Sequence, residues 1–219
     1  MQTRHRRSRA RGFTLVELLV ALFVMAILAL MSWRGMDAML RAQAQNQQRS
    51  AAIMALQNGL AQWVADLDAV QWGSRHSLEW NGNSLRLTRS TAEGGVAALR
   101  VVAWSLRPGD AASQWTRWQS PVFSTTAEAE AAWAAAALWA QGAAATPTAG
   151  SFATPVVPVL DWKVLYYRET QWTETIAATA ATEKGPDAVR LQLNLAPGMP
   201  ISGRITRDWL RPTLAGNKS

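Results

Sequence analysis

The fold of this chain is decided near its start by the stretch RGFTLVE at residues 11–17, which runs directly into the apolar residues Leu18–Trp33. Between Phe13 and Trp33 the single charged side chain is Glu17. A helix over these 21 residues would be about 31 Å long, which is enough to cross the hydrocarbon core of a bilayer. We therefore predict a transmembrane helix over residues 13–34.

The carboxylate of Glu17 is costly at this place, because an ionised group near hydrocarbon needs a partner. Residues 1–12 contain no acidic residue, which together with their basic charge is typical of a segment kept on the cytoplasmic side. The basic side chains of this leader are Arg4, Arg6, Arg7, Arg9 and Arg11. Cleavage after Gly12 would give Phe13 a new α-amino group, four residues from Glu17 and on the same helix face. The cation that Glu17 needs could then be the Phe13 amine of a neighbouring subunit.

At residues 12–17 the sequence resembles the type IV pilin and pseudopilin superfamily, whose signature is a short basic leader, a glycine, and Phe-Thr-Leu-x-Glu opening an apolar helix. The resemblance implies that a prepilin peptidase cleaves between Gly12 and Phe13 and N-methylates Phe13. It also implies that Glu17 guides each subunit into a helical filament by pairing with the terminal amine of the subunit beside it. The alternative is an ordinary signal peptide or signal anchor. A signal peptide, however, has a shorter apolar run and a small-residue cleavage site after it.

Charge and composition exclude several classes of function. Five of the 22 basic residues lie in the leader, so removing them lowers the net charge from +7 to +2. No cluster of Lys and Arg is left to bind nucleic acid. The chain has no cysteine, which excludes a disulfide, a thiolate metal site and a thiol nucleophile.

The rest of the chain predicts an α+β fold. Residues 35–72 contain no proline and many good helix formers, so we expect the helix to continue through them on the periplasmic side. Its second half carries an apolar stripe with helical spacing, formed by Ile53, Leu56, Leu60, Trp63, Leu67 and Val70. This amphipathic half should pack on an antiparallel β-sheet domain formed by residues 73–219.

Strand and turn signals divide this domain. Asn81-Gly82-Asn83 predicts a hairpin between strands 78–80 and 84–89, and further strands are expected at 96–106, 114–119, 160–168, 189–195 and 201–210. Thr125 and Glu128 resemble a capping box, so residues 128–141 should form a short alanine-rich helix. Residues 142–158 are rich in Gly, Pro, Thr and Ala and are expected to form a loop.

No residue pattern indicates an enzyme. His76 is isolated, and a lone histidine is usually a solvated or core residue. Asp66 and Asp68 are too few for a metal site, so we expect them on a solvated helix face. Glu128 and Glu130 are explained as acidic residues near a helix N-terminus. We therefore predict no catalytic residue, no cofactor and no metal.

The chain contains 12 tryptophans, a residue type that is enriched both in cores and at interfaces. The short alanine-rich helix carries Trp133 and Trp139. Because its loop setting offers few partners, we expect these two side chains to form an exposed patch that contacts a neighbouring pseudopilin.

Several segments are similar to the minor pseudopilin J family of type II secretion, namely residues 33–37, 160–168 with Trp172, 186–193 and 203–207. This resemblance implies a place at the tip of a periplasmic pseudopilus that drives protein export across the outer membrane. The implied partners are the prepilin peptidase, the minor pseudopilins I and K, the major pseudopilin and the inner membrane, with the N-terminus in the cytoplasm and the C-terminal domain in the periplasm.

Two other functions remain open. One is a minor type IV pilin for pilus assembly, adhesion or DNA uptake, which the lack of cysteine and the weak charge of the mature chain disfavour. The other is a periplasmic binding module held by an ordinary signal anchor. Loss or retention of residues 1–12 separates the anchored module from both pilin functions.

Overall fold

A computed structural model describes residues 12–109, 112–142, 150–168, 170–174 and 185–212. The chain divides into two compact units, residues 1–48 and 49–219. Helix α1 covers Leu15–Asp68 and contributes to both. It ends four residues before the boundary at 72 that the sequence predicted.

In the first unit, every described residue is exposed. By its length and composition, helix α1 could cross a membrane, and its apolar part lies near the N-terminus. The exposed side chains include the large apolar residues Phe23, Met25, Leu30 and Trp33. Such a surface is unfavourable in water and requires lipid or other apolar helices around it.

The second unit is built on one antiparallel sheet. Its strands are β1 (Leu78–Trp80), β2 (Ser84–Glu93), β3 (Val96–Arg107), β4 (Gln114–Gln119), β5 (Phe152–Arg168), β6 (Gln171–Thr173), β7 (Ala188–Leu195) and β8 (Gly203–Leu210). The strand order is β1-β2-β3-β4-β5-β7-β8, and β6 pairs with β5 off this path. The long strand β5 joins the two halves, because β4 pairs with its first part and β7 with its second.

The last part of α1 packs on one face of this sheet, as the apolar stripe predicted. Leu56, Trp63 and Leu67 are buried in the main hydrophobic core, and Ile53 and Leu60 are half-buried. The sheet contributes Leu85, Leu87, Val102 and Trp104 among others to the same core. The α+β fold is thus confirmed.

Helix α2 (Thr126–Ala140) packs on the opposite face of the sheet. Its N-terminus has the predicted capping box, in which Thr125 accepts from the Glu128 N–H and the Glu128 carboxylate accepts from the Thr125 N–H. Because α1 and α2 cover opposite faces, β3 buries consecutive residues. Val102 and Trp104 lie in the core under α1, whereas Val101 and Ala103 lie under α2.

The predicted strands and hairpin are observed, with Gly82 at φ 87° in the turn. The prediction of a loop over residues 142–158 is wrong from Phe152 onward, where β5 begins. Pro155 lies at a register shift opposite Thr116, a place where a strand tolerates proline because no ladder N–H is needed. The sequence did not predict β6, which is a three-residue strand held by its pairing with β5.

Candidate functional site

Glu17 lies in the first turn of α1 and is held by Thr14. The Thr14 N–H donates to Glu17 Oε2 at 3.2 Å, the Thr14 hydroxyl donates to the same oxygen at 3.1 Å, and the Glu17 N–H donates to Thr14 Oγ1 at 3.3 Å. This reciprocal arrangement is a capping box with Thr14 as the N-cap. The carboxylate therefore satisfies donors at the helix start, where the positive end of the helix dipole also favours it.

Both hydrogen bonds to the carboxylate use Oε2. Within the described ranges no Lys, Arg or His pairs with Glu17. The capping box reduces the cost of the carboxylate but leaves its full negative charge in place, with Oε1 able to accept from another molecule. The sequence pattern Thr-x-x-Glu was the signal for this cap, and the sequence-based prediction considered only the charge.

The residues at the predicted cleavage site are accessible. Phe13 is 84% exposed, and a Cβ built on Gly12 would meet no atom within 4 Å. Packing within the described chain therefore gives no reason for glycine at position 12.

The acidic residue Asp66 does not lie on a solvated helix face, so that prediction is wrong. It is fully buried and forms ion pairs with Arg89, at 2.5 Å from Nη1, and with Arg117, at 2.7 Å from Nε and 2.8 Å from Nη2. Trp104 Nε1 and Gln62 Nε2 donate to it at 2.9 and 3.0 Å. The four donors of Arg89, Trp104 and Arg117 join α1 to strands β2, β3 and β4, whereas the bond from Gln62 lies within α1.

Asp68 is exposed, as predicted, but it is not merely a solvated charge. Its Oδ1 accepts from Trp209 Nε1 at 2.7 Å. This bond ties the end of α1 to strand β8. Both aspartates at the end of the helix therefore have structural roles.

His76 contacts helix α2. Its Nε2 lies 2.9 Å from Oε2 of Glu130, and its ring stacks on Trp133 with centroids 4.7 Å apart. Arg75 also donates to Glu130, at 3.0 Å. The hydrogen bonds that Glu130 forms with His76 and Arg75 lower the pKa of its carboxyl below the ordinary value, and the bond with His76 has the larger effect. The cluster holds α2 in place and contains no nucleophile.

The prediction that Trp133 and Trp139 form an exposed patch is wrong. Their exposed fractions are 7% and 4%, because both pack under α2 in the second hydrophobic cluster. The Arg86 guanidinium lies 4.6 Å from the Trp133 ring centre, and Trp139 stacks on Trp118 at 6.2 Å. Most other residues of α2 are alanines, so the two tryptophans supply most of the apolar surface that binds the helix to the sheet.

Across the part of the chain that the structure describes, no group of three or more His, Asp or Glu side chains could hold a metal ion. The titratable residues considered as catalytic candidates are engaged in capping, ion pairs or packing. Their arrangement supports stability of the domain.

Comparison with known proteins identifies residues 7–33 as a prokaryotic N-terminal methylation motif. Among curated proteins none matches the sequence. Among solved structures, the chain is similar to one in the crystal structure of the GspK–GspI–GspJ complex from the enterotoxigenic Escherichia coli type 2 secretion system. The identity is 14% and the TM-score 0.47, with 73% of this chain and 96% of that chain covered, a likeness too distant to inform function.

The methylation motif spans the predicted cleavage site, the capping box and the apolar start of α1 described above. Among the described residues, one helix is long and apolar enough to cross a membrane, and it begins within the methylation motif, which favours a single-pass membrane-anchored protein. The chain thus carries a prokaryotic N-terminal methylation motif at residues 7–33.

Proposed function

We propose that this chain is a filament subunit that is cleaved between Gly12 and Phe13, N-methylated at Phe13, and assembled through Glu17. The observation that carries the proposal is the methylation motif at residues 7–33 together with a Glu17 carboxylate that has no cation among the described residues. After cleavage, the cation would be the Phe13 amine of the neighbouring subunit. Proximity of the two charges in an apolar surrounding strengthens their attraction.

The capping box defines what this pairing must provide. Thr14 already satisfies the hydrogen-bonding need of one carboxylate oxygen. The remaining requirement is compensation of a full negative charge, which a hydrogen bond from a neutral group does not supply. The role of Glu17 in assembly is therefore electrostatic, and a neutral side chain that keeps the cap should not replace it.

Within the superfamily we place the chain as a minor pseudopilin of the J type in type II secretion, at the tip of the periplasmic pseudopilus. The support is the sequence similarity of residues 33–37, 160–168, 186–193 and 203–207. The partners would be the minor pseudopilins I and K, the major pseudopilin and the prepilin peptidase. Residues 1–12 would be the leader, 13–34 the span of the inner membrane, 35–72 the periplasmic part of the helix and 73–219 the periplasmic domain.

The first test is the intact mass of the membrane-extracted protein, expressed with and without a prepilin peptidase. We expect peptidase-dependent loss of residues 1–12 and one added methyl group. A Gly12→Lys variant, which keeps the fold because position 12 is open, should stay full-length and serves as the control. A full-length chain in both hosts would contradict the proposal and favour the signal-anchored module.

The second test separates charge from capping at Glu17. Glutamine preserves the capping box, so Glu17→Gln should still be cleaved but should fail to co-purify with the other pseudopilins. Thr14→Ala removes the cap at a cost of about 1 kcal/mol to the helix start and keeps the charge, so it should still assemble. Assembly of Glu17→Gln at the wild-type level would disprove the electrostatic role. Co-purification with type IV pilus subunits instead of minor pseudopilins would place the chain in a pilus.

A further inference from the structure

In the part of the chain that the structure describes, strand β8 forms one edge of the sheet. The other end of the strand order is β1, which has three residues, whereas β8 has eight residues paired to β7 in a continuous register. Proteins usually protect sheet edges by short strands, prolines or bulges, because a free edge pairs readily with another chain. The β1 edge is short, but β8 contains no proline and no register shift.

The ladder between β7 and β8 fixes which backbone groups face outward. The Arg211 N–H donates to the Asp187 carbonyl at 3.0 Å, in register with the pairs of Leu210 with Ala188 and of Trp209 with Val189. Since hydrogen-bonded and non-hydrogen-bonded pairs alternate in an antiparallel ladder, the odd-numbered residues of β8 bond to β7. The N–H and C=O groups of residues 204, 206, 208 and 210 therefore point away from the sheet.

Among the described residues, the positive side chains along this edge have no acidic partner. Arg204 and Arg207 are exposed, and neither forms an ion pair with any described residue. Asp208 does not neutralise them, because Arg190 binds both of its oxygens at 2.7 Å. Leu210 adds a large apolar side chain that is 70% exposed.

We propose that the free edge of β8 binds an extended acidic segment of another protein as an additional β-strand. The outward N–H and C=O groups of residues 204, 206, 208 and 210 would supply main-chain hydrogen bonds, as in other cases of strand addition. Arg204 and Arg207 would select acidic side chains on the incoming strand, and the same charges would repel a basic one. The inference uses the second unit alone, so it does not depend on cleavage at Gly12 or on filament assembly.

The test uses the full-length protein in detergent micelles and two labelled octapeptides, one of repeating Glu-Glu-Val-Val and one of repeating Lys-Lys-Val-Val. Arg204 and Arg207 lie on opposite faces of β8, and these repeats place charges on both faces of the incoming strand. We expect the acidic peptide to bind, by fluorescence anisotropy, at least tenfold more tightly than the basic one, with an affinity that falls as salt is raised. Hydrogen exchange should slow at the amides of residues 204, 206, 208 and 210 when the acidic peptide is present.

Two variants test the backbone and the charges separately. Thr206→Pro removes an outward N–H without removing a bond to β7 and should weaken binding of the acidic peptide at least tenfold, whereas Thr206→Val should stay within twofold of wild type. Arg204→Gln with Arg207→Gln should also weaken it at least tenfold, which keeps the test valid if the proline variant does not fold.

Three outcomes would overturn the proposal. One is equal affinity for the two peptides, and another is unchanged exchange at the four outward amides under saturating acidic peptide. The third is peptide-free dimerisation that Thr206→Pro abolishes and Thr206→Val does not, because the edge would then be occupied by a second copy of this chain.

Discussion

Substituting Asp66 by alanine removes the one buried carboxylate that joins α1 to three strands. Five hydrogen bonds from four side chains end on its two oxygens. After the substitution, the guanidinium groups of Arg89 and Arg117, which are 19% and 13% exposed, would face each other without a counter-ion. The buried N–H of Trp104 would also lose its acceptor.

The expected cost follows from these contacts. Removing one partner of a buried ion pair destabilises a protein by about 3–5 kcal/mol, because the remaining charge stays desolvated. Since water can reach both arginines in part, we expect about 4 kcal/mol for Asp66→Ala. For a domain of this size, that corresponds to a fall in melting temperature of roughly 8–16 °C.

The assay is thermal unfolding of the full chain in detergent, followed by tryptophan fluorescence. Asp68→Ala is the matched control, because it removes the same charge two residues away and loses one hydrogen bond, from Trp209, at a cost of about 1 kcal/mol. The triple variant Asp66→Leu, Arg89→Met and Arg117→Met should recover most of the stability, since apolar replacement of a whole buried ion cluster is often neutral or better. A loss for Asp66→Ala no larger than that for Asp68→Ala would refute the reasoning.

Two further predictions concern packing and pH. A Cβ on Gly59 would lie 2.2 Å from Val156 Cγ1, so Gly59→Ala should lower the stability of the domain by about 1–3 kcal/mol in thermal unfolding. Gly35→Ala is the control. Because a Cβ at Gly35 meets no atom within 4 Å, this variant should leave the unfolding transition of the domain unchanged. A Gly59→Ala transition at the wild-type temperature would contradict the close packing. The hydrogen bond from Arg190 is the main reason that the pKa of Asp208 is lowered from its ordinary value of 3.8. The ion pair therefore stabilises the fold at pH values above 3.8, and this stabilisation is lost as the pH falls through the lowered pKa. Asp208→Asn should therefore lower the free energy of unfolding by less than about 1 kcal/mol at pH 7, because the pair is partly exposed. Below the lowered pKa, thermal unfolding should show no difference between the variant and wild type. A destabilisation that grows on acidification would contradict the assignment.

Local signals in the sequence predicted most elements. The Asn-Gly turn at residues 81–82 and the capping box at Thr125 each depend on residues within four positions of one another, and the apolar run after Glu17 is one continuous stretch. Such signals act through backbone geometry and short-range hydrogen bonds, which do not require knowledge of the fold. Local signals did not predict the start of β5, because its prolines indicate a loop and its pairing with β4 joins distant parts of the chain.

The candidate assembly site was also local, since Gly12, Phe13 and Glu17 lie within one helical turn and its leader. Its cleavage and methylation remain predictions. The structure adds the hydrogen bonds from Thr14 that hold the Glu17 carboxylate.

By itself, the sequence determined the long apolar helix at the N-terminus, the methylation motif, the α+β class and the stripe by which α1 meets the sheet. The tertiary structure alone decided that Asp66 is a buried ion-pair centre, that Trp133 and Trp139 are core residues, and that β8 is the edge strand among the described residues. Burial depends on which distant segments cover a side chain. Arg89 and Arg117 cover Asp66, and the face of β3 that packs under α2 covers the two tryptophans. Such contacts between distant parts of the chain are set by the folding of all the strands together, so no single stretch of sequence contains them.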